Sequence, residues 1–213
     1  MRPTLAIIDV DIFSGQDELV REALLESLRQ FHEPCLTVLW INWLRERADL
    51  RVVCLVDDLE RFDDFLVNVI RKVPGVRGTA AQLAFDGVVR VDALMDLSLL
   101  SAGWDRRAAA TVQVKLQPGR DEEAYRALLA LPKHQQVEVV WVVKVFHSND
   151  ADLLLLLLGE RTAALTGYVM SWVRTVPGVQ DTHLTSVLDW QILGRTEDFL
   201  ALAQRFPEPS PAP

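Results

Sequence analysis

Apolar residues along the chain follow two different periods. In residues 8–12 they alternate with aspartates, and in residues 112–116 they alternate with Gln113 and Lys115. Strict alternation places the apolar side chains on one face of a strand. In residues 62–73 and 165–176 the apolar positions recur at spacings of four, three and four, which places them on one face of a helix. The chain therefore predicts a mixture of strands and amphipathic helices.

The second half of the chain repeats the first. Shifted by 103 positions, residues 49–86 align with residues 152–189 without a gap, and ten of the 38 pairs are identical. Both copies contain Val-Pro-Gly-Val, in which proline cannot continue a helix and glycine tolerates the turn. Each copy runs strand, helix, strand, strand, helix, strand, which is the order of a ferredoxin-like βαββαβ unit.

The predicted elements have approximate bounds. In the first copy the strands are at 8–12, 36–44, 50–56 and 79–85, and the helices are at 17–31 and 62–73. In the second copy the strands are at 112–116, 137–146, 153–158 and 182–188, and the helices are at 122–131 and 165–176. Each four-stranded sheet has one bare face, so we expect the two sheets to pack together as an intramolecular pseudo-dimeric α/β barrel. Two independent domains are the alternative.

The predicted domains are an α+β repeat at 1–88, a packed linker at 89–107 and a second repeat at 108–194. Residues 195–213 would form a short helix capped by Thr196 and a proline-rich tail, which we expect to be disordered. Net charge is −8 and the isoelectric point is near 5.0, which disfavours direct binding to nucleic acid. The leucines at 153–158 are too few to span a membrane, and no signal peptide is evident, so a cytoplasmic protein is expected.

Side chains that could carry chemistry are scattered. Cys35 and Cys54 have no CxxC spacing and are expected to be free, buried thiols. The four histidines lack metal-binding spacing, and we predict no metal, no cofactor and no catalytic residue. Asn42 and Lys144 lie in apolar strands, where we expect them to face outwards; an inward orientation would favour an enzyme.

Residues 111–188 carry a set of family motifs. A strand Thr-Val-Gln-Val-Lys-Leu precedes Gln-Pro-Gly-Arg, a hairpin ends Asp-Leu-Leu, a helix ends Val-Arg-Thr-Val-Pro-Gly-Val, and Thr182, Thr185 and Val187 fall on the last strand. This stretch resembles the effector-binding (RAM) domain of Lrp/AsnC regulators, whose outline other dimeric α/β barrel proteins share. The first copy resembles it over residues 49–85. The family's helix-turn-helix has no counterpart here.

The resemblance implies a regulatory module that binds a small molecule, possibly an amino acid, and that is not an enzyme. It also implies self-association as a dimer of pseudo-dimers, or a protein partner. Asp49 and Asp152 match the family's hairpin aspartate, although the hairpin glycine is replaced by Asn149 in the second copy. The further candidate ligand-binding residues are His147, Ser148, Asn149, Thr182 and His183. The alternatives are a dimeric α/β barrel enzyme, such as a cofactor-poor oxygenase or an isomerase, and a module for protein–protein association.

Overall fold

The computed structural model describes residues 3–45, 49–99, 108–132, 134–146 and 151–208, with the backbone alone for 96–99. The strands are β1 (Thr4–Ile12), β2 (Leu36–Arg45), β3 (Leu50–Val56), β4 (Val76–Val89), β5 (Ala108–Leu116), β6 (Val137–Phe146), β7 (Leu153–Gly159) and β8 (Val179–Ile192). The helices are α1 (Asp17–Gln30), α2 (Leu59–Phe65), α3 (Val91–Leu99), α4 (Asp121–Leu129), α5 (Thr162–Tyr168) and α6 (Thr196–Arg205). π-helical segments at Leu66–Ile70 and Val169–Val173 continue α2 and α5.

The eight strands form one closed antiparallel barrel in the order β1-β3-β2-β8-β5-β7-β6-β4. We call β1–β4 the first half and β5–β8 the second half. Within each half the strands pair in the same order, and the halves meet where β2 pairs with β8 and where β4 pairs with β6. The α+β fold is therefore confirmed. Closure leaves none of the described strands with a free edge, so self-association through sheet edges has no route here, and self-association itself stays a prediction.

The strands β3 and β7 explain the continuous apolar runs of the sequence. Every residue of both strands is buried, because helices cover their outer face and the barrel interior covers their inner face. On the outer side, β1 packs against α1 and α2 through residues such as Ala6, Val20 and Phe62, and the second half has an equivalent cluster. A strand buried on both faces needs no polar alternation, which is why residues 153–158 are all leucine.

The helices α3 and α6 close one end of the barrel. Leu94 of α3 and Phe199 of α6 join the interior core. In the same core the rings of Trp40 and Trp141 stack with centroids 5.2 Å apart, and Trp40 also stacks on Phe199 at 6.0 Å. The interior at this end is therefore an aromatic and aliphatic core.

The last strand of each half is longer than predicted. The strands β4 and β8 each contain 14 residues. The first part of β4 pairs with β1, and its last part pairs with β6 of the other half; β8 pairs likewise with β5 and then with β2. The additional residues form the junctions between the halves, which a repeat unit read alone does not reveal.

The predicted apolar face of the second helix in each copy is buried except at its third position, which is Val69 in one copy and Trp172 in the other. The N–H of Arg71 donates to the Leu66 carbonyl (3.0 Å), and the N–H of Arg174 donates to the Val169 carbonyl (2.8 Å), so these turns are π-helical. The wider turn buries Ile70 and leaves the side chain of Trp172 40% exposed.

Two smaller predictions also differ from the structure. Thr196 does not cap α6; the cap position is Arg195, whose backbone N–H donates to the Asp198 carboxylate at 2.7 Å. Cys54 is buried as expected, but Cys35 is half-buried. The tail beyond residue 208 lies outside the described residues. Among the residues that are described, no helix is long and apolar enough to cross a membrane.

Candidate active site

Polar side chains face the barrel interior at the end away from α3 and α6. Around the closed barrel β1 and β5 run in the same direction, so their C-terminal ends lie at the same end. Leu5 and Ile7 of β1 belong to the interior core, whereas Ala6 and Ile8 belong to the outer one. Since side chains alternate along a strand, Asp9 also faces inwards, one layer beyond Ile7.

A salt bridge occupies the first half of this layer. Asp9 is paired in register with Arg51, which is in turn paired with Asn42 on β2. The guanidinium of Arg51 donates two bonds to the Asp9 carboxylate, from Nε at 2.6 Å and from an Nη at 3.0 Å. Arg51 is only 4% exposed, whereas the Asp9 side chain is 17% exposed, so water can do little to solvate the guanidinium. The bidentate geometry is the strong form of an arginine–carboxylate pair.

The second half contributes uncharged groups and a histidine. Gln113 on β5 lies directly opposite His183 on β8, and Thr111 lies opposite Thr185 one layer deeper. Ala109 and Val187 on the same two strands belong to the interior core, and alternation therefore points these four polar residues inwards. Directly opposed residues have β-carbons about 4.5–5.5 Å apart, so they form one patch.

Several buried polar atoms in this region have no protein partner. Among the described residues, no hydrogen bond reaches Oδ1 of Asn42, Oγ1 of Thr111 or Nε2 of His183. The indole N–H groups of Trp40 and Trp141, which lie deeper in the barrel towards α3 and α6, also have no partner among these residues. Buried polar groups are normally hydrogen-bonded, and leaving one without a partner is unfavourable by about 1–3 kcal/mol. These buried atoms are therefore the ones that a bound polar molecule could satisfy.

The two halves supply different chemistry to the same space. In the second half the positions equivalent to Asp9 and Arg51 are Gln113 and Leu154, which are paired in the same register. Conversely, the position of His183 corresponds to Ala80, which pairs with Asp9. The ion pair therefore comes from one half and the imidazole from the other, so the part of the chain that the structure describes contains one such combination.

The residues predicted from the hairpins have structural partners. Asp49 accepts a hydrogen bond from the Ile12 backbone N–H at 2.6 Å, and Asp152 accepts one from the Leu116 N–H at 2.8 Å. Both amides lie at register shifts where β1 and β5 leave the ladder, so the carboxylates satisfy strand ends. Asp152 also contacts Lys115 Nζ at 3.1 Å.

The other predicted binding residues separate into three groups. Thr182 is on the outward side of β8, and its own N–H donates to the Asp181 carboxylate at 2.8 Å. The neighbouring His183 faces inwards and belongs to the site described above. His147, Ser148 and Asn149 lie outside the described residues, so their role stays a prediction.

The expectation for Asn42 was wrong, whereas that for Lys144 was correct. Asn42 faces inwards because a register shift between Val38 and Trp40 reverses the alternation that the sequence suggests. Lys144 faces outwards and contacts Asp86 and Glu122, each at 3.1 Å.

Lys144 belongs to an ionic cluster on the outer surface. Partial burial lowers the pKa of Lys144, but the hydrogen bonds to Asp86 and Glu122 together outweigh the burial and raise this pKa. Hydrogen bonds from Lys144 and Arg126 lower the pKa of Glu122. The cluster spans the junction between the halves and has no access to the interior.

Two open grooves lie elsewhere on the surface. One, of about 470 Å³, is lined by residues that include Arg90, His134 and Tyr168. The other, of about 580 Å³, is lined by residues that include His32 and Arg195. They occupy similar places in the two halves, which suggests that the fold itself produces them. We place the candidate site in the interior, because the unpartnered buried atoms are there and not in the grooves.

The fold can be compared with known proteins. No family model matches the sequence, and no curated protein matches it. Among solved structures, an anthrone oxidase-like protein shares 9% identity at a TM-score of 0.57, covering 92% of this chain and 95% of its own. A mutant chlorite dismutase from Candidatus Nitrospira defluvii, in complex with cyanide, shares 14% identity at a TM-score of 0.54. The match covers 95% of this chain and 94% of the dismutase chain. The siroheme decarboxylase NirDL shares 12% identity at a TM-score of 0.56, and the match covers 94% of this chain and 77% of the decarboxylase chain.

These neighbours are dimeric α/β barrel proteins. The chain has the dimeric α/β barrel fold. At such identities the likeness shows the fold alone, and the comparisons contradict three expectations from the sequence. The resemblance to Lrp/AsnC effector domains was wrong, and so were the expectations of a transcriptional regulatory module and of a protein that is not an enzyme, because the neighbours are named as enzymes.

Proposed function

We propose that the chain is an enzyme whose active site is the polar end of the barrel interior. In this proposal two tandem ferredoxin-like units form an intramolecular pseudo-dimer, and each unit supplies part of one site. The observation that carries it is the buried Nε2 of His183, which lies among hydrogen-bonding groups inside the barrel and has no partner within the described part of the chain. The enzymatic names of proteins with the same fold support it as an analogy.

The residues favour a small, mostly apolar substrate with hydroxyl or carbonyl groups. The tryptophan and aliphatic side chains below the polar layer suit an apolar body. Oδ1 of Asn42 can accept a hydrogen bond from a substrate hydroxyl, and the hydroxyl of Thr111 can donate one to a carbonyl oxygen. A site with a few placed polar groups on apolar walls is typical for such ligands.

The reaction we propose is proton transfer by His183. Imidazole exchanges protons near neutral pH. Nε2 would take a proton from the substrate, and the Thr111 hydroxyl would stabilise the negative charge left on the substrate oxygen. In an isomerisation the imidazolium returns the proton to another substrate atom. In a cofactor-poor oxygenase the deprotonated substrate would instead react with dioxygen.

The proposal is tested by a thermal-shift screen with phenols, quinones and cyclic ketones, followed by mass spectrometry of products for any compound that binds. A ligand that binds only the native state raises the melting temperature. We expect His183→Ala to abolish turnover, while Thr182→Ala, on the adjacent outward-facing residue, leaves it unchanged. Turnover that survives His183→Ala, or a panel with neither binding nor turnover, would contradict the proposal.

A further inference from the structure

The two opposite charges that face into the site, on Asp9 and Arg51, form a salt bridge with each other. Arg51 and Asp9 neutralise each other through two hydrogen bonds. Among the described residues, the other polar side chains that point into this layer and the next deeper one, apart from His183, carry no charge: Asn42, Gln82, Thr111, Gln113 and Thr185. A molecule that reaches this space therefore meets, among these residues, hydrogen-bonding groups and no arginine without a counterion.

The ion pair is not a requirement of the fold. The second half has the same strand pairing with Gln113 and Leu154 at the equivalent positions, and its strands are equally well buried. Replacing a buried ion pair with well-packed apolar groups is often neutral or stabilising. Because the fold accommodates uncharged residues at these positions, the pair in the first half is available for a role in binding.

We propose that Asp9 is a specificity-determining residue, an internal counterion that holds Arg51 and makes the site select neutral molecules over anions. The inference rests on the proposed function, because it assigns the substrate class of the same site. An anion placed beside the pair would leave one negative charge unbalanced in a region of low polarity. The net charge of −8 also disfavours the approach of anions.

The inference predicts that removing the Asp9 charge converts the interior into an anion site. The probe is formate, with formamide as its neutral counterpart of similar size. In Asp9→Asn the melting temperature should rise saturably with formate, by about 5–10 °C at a hundred times Kd, and should not respond to formamide. Asp11→Asn is the matched control, because Asp11 is partly exposed and its contact with Arg77 is long, at 3.7 Å. The Asp11→Asn variant should show no response to formate.

The outcomes separate clearly. A wild-type protein that responds to formate as strongly as Asp9→Asn would overturn the inference, as would a folded Asp9→Asn that does not respond. If Asp9→Asn does not fold without a ligand, the variant is refolded in formate and, separately, in formamide. We expect it to recover its fold in formate and not in formamide. Failure to recover in either compound would overturn the inference. A formate response with no substrate or turnover in the screen would instead count against the proposed enzyme and leave the assignment of Asp9 standing.

Discussion

The buried pair of Asp9 and Arg51 gives a quantitative prediction for stability. Asp9→Asn keeps the side-chain shape but leaves the Arg51 guanidinium, 4% exposed, without its counterion. Arginine is not deprotonated in proteins, so the charge stays inside. Removing one partner of a buried pair destabilises by about 3–5 kcal/mol. For a chain of this length this lowers the melting temperature by roughly 6–20 °C.

The assay is urea denaturation at neutral pH, checked by calorimetry, with a double variant as the control. Asp9→Gln combined with Arg51→Leu copies the residues at the equivalent positions of the second half, and we expect it to lie within about 2 kcal/mol of wild type. The difference between the single and double variants measures the coupling. A loss below about 1 kcal/mol for Asp9→Asn, which is the range of exposed pairs, would refute the burial argument.

Three further predictions concern other parts of the molecule. Gly87→Ala should lower the free energy of unfolding by about 1–3 kcal/mol, because a β-carbon would lie 2.7 Å from the backbone of β6. Gly167→Ala has open space around the new β-carbon, so in the same urea assay it should raise the free energy of unfolding by up to about 1 kcal/mol. Burial raises the pKa of the Cys54 thiol, so mass spectrometry after brief iodoacetamide treatment should find Cys35 alkylated in the native protein and Cys54 alkylated only after unfolding; equal rates would contradict this. The pKa of Tyr125 is raised to about 12, mainly by burial. Stability should therefore fall as the pH rises from about 10 to about 12, because the phenol ionises first in the unfolded chain. Tyr125→Phe should make this fall shallower in urea titrations at several pH values.

The sequence allowed prediction of those parts of the fold that depend on local patterns. The repeat defined the order of elements, and the bounds of β3 and β6 agree with the structure. The errors occur where one residue shifts a pattern. The π-helical turns moved Trp172 to the surface, and the register shift beside Trp40 turned Asn42 inwards. A one-residue shift reverses which face a side chain occupies, and periodicity alone does not reveal where such a shift falls.

The candidate site was predictable only in part. His183 was singled out from its position on the last strand, and it does face the interior. Asp9 and Arg51 are 42 residues apart and were not identified, although a charged residue within each of two apolar strands was a usable signal. Asp49 and Asp152 were chosen from a family motif, but their carboxylates hold strand ends. The ion pair forms only when β1 and β3 pair, and it shares a space with His183 only when the two halves close into a barrel.

The proposed enzyme binds its substrate inside the barrel, at its polar end. A crystal structure of the protein with the tightest ligand from the screen would show where this ligand lies. We predict one ligand per chain, within hydrogen-bonding distance of Nε2 of His183 and Oδ1 of Asn42. A ligand found instead in the surface grooves beside His134 or His32, with the interior closed around its own side chains, would contradict the account.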